Sequence, residues 1–143
     1  MEAELHHATP LLFVYGTLRR GSGHAMSDWL SARAAWLGAA ICLEARLYRV
    51  SWYPALAPGR PGEQVRGDLY RLLDPATCWP GLDAFEAVTG APDDEYACRP
   101  CRVRLADGIE TAALAYWYRL PLAGLEPLPG GDWLRAVPAT PSR

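Results

Sequence analysis

The sequence predicts an α+β fold, a small closed or nearly closed β-barrel with flanking helices. Three observations carry that expectation. Stretches of period two outnumber helical ones, and only two helical segments are interposed. The segment Thr111–Leu120 is apolar or aromatic on both alternating faces, with Ala113, Ala115 and Trp117 against Leu114, Tyr116 and Tyr118. A strand that needs cover on both sides suits a barrel with helices packed outside it. The chain has 143 residues, half of them hydrophobic and six of them Trp, enough for one core without disulfides or metal.

Taken in order, Leu11–Tyr15 is a short buried strand that runs into Gly16. Residues 16–23, GTLRRGSG, form a glycine-punctuated loop. Ala25–Trp36 carries Met26, Trp29, Leu30 and Arg33 at helical spacing, with Leu37 next and Gly38 as a stop. Trp29 and Trp36 then share a helix and serve packing. From Ile41 to Tyr48 the period is two. Residues 52–62, WYPALAPGRPG, read as a turn or a long hairpin connection. Val65–Leu73 alternates again, and Asp74-Pro75 opens a short turn. A second helix follows, with Pro80 in its first turn, a stop at Gly90 and Pro92 beyond. Strands Cys101–Leu105 and Thr111–Leu120 are joined through Asp107-Gly108, a hairpin signal. Residues 121–143 are rich in Pro and Gly and read as loop and frayed tail. The expected organisation is one domain over residues 11–134, with flexible termini at 1–10 and 135–143.

Composition removes several chemistries. All fourteen basic residues are Arg and none is Lys. A Walker-type phosphate loop, Schiff-base catalysis and Ser–Lys hydrolysis all need a Lys. An Arg, with a pKa above ~12, cannot act as a general base at neutral pH. Proton transfer must therefore fall to Glu, Asp, His, Tyr or Cys. A net charge of −2 gives no electrostatic case for a nucleic-acid or acidic-membrane partner. No apolar run approaches the ~18–20 residues of a bilayer span. The opening MEAELHHATP lacks an apolar signal core, so a cytoplasmic location is expected, with Cys42, Cys78, Cys98 and Cys101 as free thiols.

One acid stands in an apolar place. On a helical wheel over Trp79–Thr89, at about 100° per residue, Glu86 falls between Leu82 and Trp79, inside the apolar stripe. Asp83 falls on the edge of the stripe, within reach of water. Burial disfavours a charged carboxylate and raises its pKa towards neutrality, where a general acid or base works best. Two readings stand side by side: a functional acid, or a Glu that snorkels out or pairs with an Arg.

The strand-to-turn sequence Gly16-Thr17-Leu18 can expose consecutive backbone N–H groups, an anion-binding concavity that needs no cationic side chain. The simpler reading is a turn and no more. It is not G-x-G-x-x-G, so nucleotide binding is not supported. Arg19 and Arg20 either steer an anion or belong to a solvated loop. His24 is pocket lining or a loop residue, while His6 and His7 fall in the N-terminal tail. Cys98 and Cys101 have redox-motif spacing, yet they run into a strand. There an odd separation sends their side chains to opposite faces, against a disulfide or a chelate.

Together these segments resemble the gamma-glutamylcyclotransferase-like superfamily, which includes the plant AIG2-like proteins. The resemblance begins at FVYGTLRRG, residues 13–21, and continues through VRGDLYRL at 65–72 and Leu82-Asp83-x-x-Glu86. It closes with Tyr96-x-x-Arg99, AYWY at 115–118 and GDW at 131–133. With Thr17 and Arg19 in the loop, the chain looks closer to the members that cleave γ-glutamylamines than to glutathione-specific ones.

The resemblance implies a small β-barrel with flanking helices. It also implies an enzyme that cyclises a γ-glutamyl group to 5-oxoproline and releases an amine, without metal or cofactor. Carried over residue by residue, the catalytic acid is Glu86 and the carboxylate cradle is Tyr15, Gly16, Thr17 and Leu18. Tyr96 is expected to donate a hydrogen bond to substrate or to Glu86, and Arg99 to have a structural role. The implied partner is a small γ-glutamyl molecule. Two alternatives remain open: a non-catalytic carboxylate-binding domain of the same fold, and a relative specialised for an amide that masks an amine.

Overall fold

The computed structural model describes residues 10–136. In chain order its elements are β1 (Leu11–Val14), α1 (Ala25–Ser31), β2 (Ala34–Leu43), β3 (Ala45–Arg49) and β4 (Pro54–Pro58). They continue with β5 (Gln64–Leu72), α2 (Pro75–Phe85), β6 (Tyr96–Leu105), β7 (Glu110–Tyr118), β8 (Glu126–Pro127) and α3 (Trp133–Ala136). Five strands close a barrel in the order β1-β5-β2-β6-β7, and β4-β3-β8 form a separate small sheet. The fold is thus α+β and barrel-based, as the two-faced apolar strand indicates.

Alternation along β1 divides the core. Phe13 belongs to a cluster that includes Leu69, Val103 and Ala115 of the barrel with Leu47, Leu56 and Trp133. Leu12 and Val14, pointing the other way, pack with Leu30 of α1 and Trp79 and Leu82 of α2. Gly67 makes the closure of β1 on β5 possible. A Cβ there would stand 2.1 Å from the Val14 carbonyl oxygen and 2.7 Å from the Phe13 ring.

Several boundaries differ from the sequence reading. The first helix stops at Ser31, and the chain is already strand at Ala34. The ladder of β2 on β5, from Ala34 opposite Leu72 to Leu43 opposite Gln64, overrides the helical preference of this Ala-rich stretch. Trp36 is therefore a strand residue at the bulge before Gly38, 43% exposed, and shares no helix with Trp29. Its ring lies under the Arg20 guanidinium, 4.1 Å away.

The alternating run 41–48 is two strands in two sheets, broken at Glu44, where φ is +53°. The Pro-rich segment 52–62, read as a connection, contains β4, which pairs with β3 from Ala45 opposite Pro58 to Arg49 opposite Pro54. Helix α2 begins at Pro75, so Pro80 lies inside it, on the exposed side. Pro80 has no N–H, so the helix forgoes one backbone bond on that side. The helix ends at Phe85 and not at Gly90, because Ala87 turns to a φ of +56°.

Strand β6 starts at Tyr96, five residues before the expected strand, and β2 meets it only at Val103–Leu105. The stretch containing Pro100 thus needs to satisfy one neighbour. Beyond residue 121 the chain still contributes to the core, through Leu128 and Trp133, which are 8% and 2% exposed. Of the expected flexible termini, Pro10, Arg135 and Ala136 are described, the latter two within α3, and the rest lie outside the described residues.

Candidate active site

The turn after β1 is built by its neighbours. Tyr15 is buried and its hydroxyl donates to the backbone carbonyl of Tyr116. The Arg19 N–H closes the turn on the Gly16 carbonyl at 3.0 Å. Among the described residues, no backbone acceptor takes the N–H groups of Gly16, Thr17 and Leu18. Gly16 lies against Pro54, whose ring a Cβ would meet at 3.0 Å.

The far side of the turn is anchored by charge. The Arg19 guanidinium donates to Asp132 Oδ1 at 2.8 Å and lies 3.7 Å from Asp68 Oδ2. Asp68 also accepts from the Arg20 N–H at 2.9 Å and from the Trp36 indole N–H at 3.0 Å. Ser22 closes the loop by donating to the Thr17 carbonyl at 2.6 Å. Arg19 and Arg20 thus hold the loop in place and do not line the cavity in front of it.

Glu86 arrives from the other side, as the residue that ends α2. Its N–H donates to the Leu82 carbonyl at 3.0 Å, which keeps it on the Leu82 face although the helix has stopped. Burial pushes its carboxyl up from an ordinary 4.5 to about 7, and the carboxylates of Glu95 and then Asp83 add to the effect. Asp83 itself accepts a hydrogen bond from the Tyr116 hydroxyl at 2.6 Å.

All six residues singled out in the sequence, Tyr15, Gly16, Thr17, Leu18, Glu86 and Tyr96, line one cavity of about 200 Å³. Tyr96, at the start of β6, donates its hydroxyl to the Pro54 carbonyl, which corrects the expected donation to substrate or to Glu86 and leaves that oxygen acceptor capacity only. Burial, with Tyr15 and Glu86 nearby, pushes that phenol upwards. Burial first and the Glu86 carboxylate second do the same to Tyr15, so both phenols stay protonated.

The sequence reading missed Glu95, Tyr53 and Trp52, which also line the cavity. Trp52 and Tyr53 were hidden in the segment read as a connection. Glu95 stands directly before the Tyr96 motif, and nothing in its spacing marked it. His24 caps α1, its Nδ1 accepting from the Met26 N–H at 3.0 Å. Its ring backs Phe85 and Trp52, with centroids 5.6 and 6.5 Å away, and does not line the cavity itself. No Arg or His lines the cavity among the described residues.

Cys98 and Cys101 are free, and they fall in the two different core clusters, as their odd separation on a strand requires. Arg99 is exposed and its carbonyl accepts from the Trp117 indole at 3.3 Å. His6 and His7 lie outside the described residues. Among the described residues, no helix is long and apolar enough to cross a membrane.

Comparison with solved structures returns the same architecture. Protein ytfP of Escherichia coli is 31% identical, with 88% of this chain and 97% of that one covered and a TM-score of 0.61. An uncharacterised Pyrococcus horikoshii protein, PH0828, is 20% identical over 90% of this chain and 92% of its own, at 0.64. An AIG2-like protein of Mus musculus is 24% identical over 79% and 80%, at 0.62. Comparison with curated protein sequences finds no significant match. The family described as gamma-glutamyl cyclotransferase, AIG2-like, matches residues 12–135. With the closed barrel, the turn after its first strand and nearly the whole length accounted for, the chain belongs to the gamma-glutamyl cyclotransferase, AIG2-like family.

Proposed function

We propose that the protein is a cyclotransferase that cleaves a γ-glutamyl amine or amide, forming 5-oxoproline and releasing the amine. The observation that carries this reading is Glu86. Its carboxyl is poised near neutrality, in the same cavity as a turn with unused backbone donors.

The N–H groups of residues 16–18 cradle the α-carboxylate of the glutamyl group. In neutral water its α-amine is an ammonium and cannot attack. Glu86 takes one proton from it, and the Tyr96 oxygen accepts a second N–H to aim the lone pair. The nitrogen then adds to the γ-carbonyl carbon of the same molecule, closing a five-membered ring. As the tetrahedral intermediate collapses, Glu86 returns its proton to the departing nitrogen and the bond to that nitrogen breaks; Glu86 then takes the second proton from the ring nitrogen, which becomes the lactam N–H, and the amine carries that proton away as an ammonium. The atoms balance with no further reactant. Ring closure within one molecule needs no protein nucleophile, only a geometry that brings amine and carbonyl together.

The test is release of 5-oxoproline from a panel of γ-glutamyl amines and γ-glutamyl amino acids. Glu86→Gln is expected to lower kcat by about 10²–10⁴, the usual contribution of a positioned acid–base group. Unchanged 5-oxoproline formation by that variant would overturn the role of Glu86. Tight binding of these compounds by the wild type without any turnover would leave a carboxylate-binding domain instead.

A further inference from the structure

One buried carboxylate near the site takes no part in the proton transfers. Asp68, on β5, is 5% exposed and does not line the cavity. It stands opposite Val14, the last residue of β1, in the barrel ladder. The chain leaves the barrel there, arches through residues 15–19, and meets Asp68 again on its return. The Asp68 Oδ2 accepts the Arg20 N–H at 2.9 Å, while its Oδ1 accepts the Trp36 indole N–H of β2 at 3.0 Å. Both feet of the arch thus stand on one residue. Ser22 and Ser27 donate to the Thr17 and Arg19 carbonyls at 2.6 and 3.0 Å. They follow the arch in the chain, and so tie it to its own loop and to α1, not to the barrel.

We infer that Asp68 is a positioning residue for the substrate carboxylate: by holding both feet of the arch, it presets the N–H groups of residues 16–18 before any ligand arrives. The inference rests on the proposed function for the identity of the cradled group, the α-carboxylate of a glutamyl substrate. A buried carboxylate must keep its donors, because one left short of them is costly. Any shift of the arch that withdraws the Arg20 N–H leaves Asp68 in that state, so Asp68 resists the shift. An anion that meets donors already aligned does not have to order them, and the saving appears as affinity for the charged group. Asp68 acts through the arch and not on the ligand. The Arg19 guanidinium, 3.7 Å from Asp68, has its own 2.8 Å bond to Asp132, so recognition falls to the backbone N–H groups.

Calorimetric binding of 5-oxoproline and of its amide, 5-oxoprolinamide, tests this, since the two differ at the former α-carboxylate alone. The wild type is expected to prefer the acid, and Asp68→Asn to lower that preference about tenfold. The Asn side chain fills the same space and keeps one acceptor oxygen, while Arg19 stays on Asp132. Trp36→Phe leaves Asp68 with its Arg20 partner and is expected to lower the preference by about threefold at most. Each preference is a ratio within one variant, so a general loss of folded protein cancels. In turnover of a γ-glutamyl amine, Asp68→Asn is expected to raise KM about tenfold and to leave kcat within about threefold of the wild type. The reason is that Glu86 is carried by the end of α2 and not by the arch.

An unchanged acid-to-amide preference in Asp68→Asn overturns the inference while leaving the cyclotransferase intact, as does a fall in kcat with KM unchanged. No preference for the acid in the wild type overturns it together with the carboxylate cradle. A preference that falls in Asp68→Asn, with no 5-oxoproline formed by the wild type from any γ-glutamyl compound, removes the cyclotransferase and keeps Asp68 as the residue that sets a carboxylate site.

Discussion

The Tyr116 hydroxyl donates to Asp83 Oδ1 across 2.6 Å, and so fixes a carboxylate one helical turn before Glu86. This pins a negative charge where it opposes ionisation of Glu86, on top of the larger effect of burial. Replacing Asp83 by Asn removes the charge and keeps an acceptor. The acidic limb of the kcat/KM profile is then expected to move to lower pH by a fraction of a unit. A pH–rate series on both proteins reads the shift directly; a limb that moves upwards contradicts this arrangement.

The same burial has a cost in stability, and its sign is definite. In the folded protein the Glu86 carboxyl binds its proton more tightly than in the unfolded chain, with a value of about 7 against an ordinary 4.5. Its stabilising contribution is complete below the ordinary value and is lost as pH rises through about 7. At about 1.4 kcal/mol per unit, roughly 3 kcal/mol is lost across that window. Glu86→Gln does not titrate, so at pH values above neutrality it is expected to be more stable than the wild type while turning over far more slowly. Urea unfolding of both proteins on either side of neutrality measures the difference.

Gly67→Ala is expected to weaken the barrel where β1 and β5 meet. The added methyl would face the Val14 carbonyl oxygen, 2.1 Å away, and backbone cannot swing aside as a flexible side chain can. A loss of roughly 2–3 kcal/mol follows from overpacking of this kind. Thermal or denaturant unfolding checks it, and full stability would show that β1 can shift.

Asp132→Ala releases Arg19, which is only 14% exposed at its side chain, from its 2.8 Å partner. Breaking a part-buried, charge-assisted pair costs roughly 1–3 kcal/mol. Because Arg19 also closes the 16–19 turn through its N–H, KM is expected to rise more than kcat falls. Steady-state kinetics separates the two, and equal effects on both would place the tether elsewhere.

How far the sequence carried can be followed through single residues. Glu86 was legible because the wheel set it beside Leu82, and the N–H bond to the Leu82 carbonyl preserves that placement although α2 ends one residue earlier. The turn at 16–18 was legible as a strand running into a glycine. Trp36 was not, because apolar residues in a short Ala-rich run satisfy helical spacing and strand ladders alike, and only the distant partner β5 decides. Strand β4 was hidden by its prolines, which sit at its two ends, Pro54 and Pro58, where a ladder tolerates them. Glu95 and Tyr53 are 42 positions apart, and local periodicity has no access to a hydrogen bond of that span.

The left-handed turn at Glu44 has a further consequence. By splitting one ribbon into β2 and β3, it hands the chain from the barrel to a hairpin that carries Trp52 and Tyr53 at its tip, while the turn after β1 and the end of α2 stay with the barrel. The hairpin tip on one side and the turn after β1 with the end of α2 on the other therefore line one cavity from two sheets, and the Tyr96 hydroxyl ties the two at the Pro54 carbonyl. On the proposed function, recomposing residues 50–53 is expected to change which substrates the cavity admits more than it changes the chemistry at Glu86, because those residues belong to the hairpin and Glu86 to the end of α2.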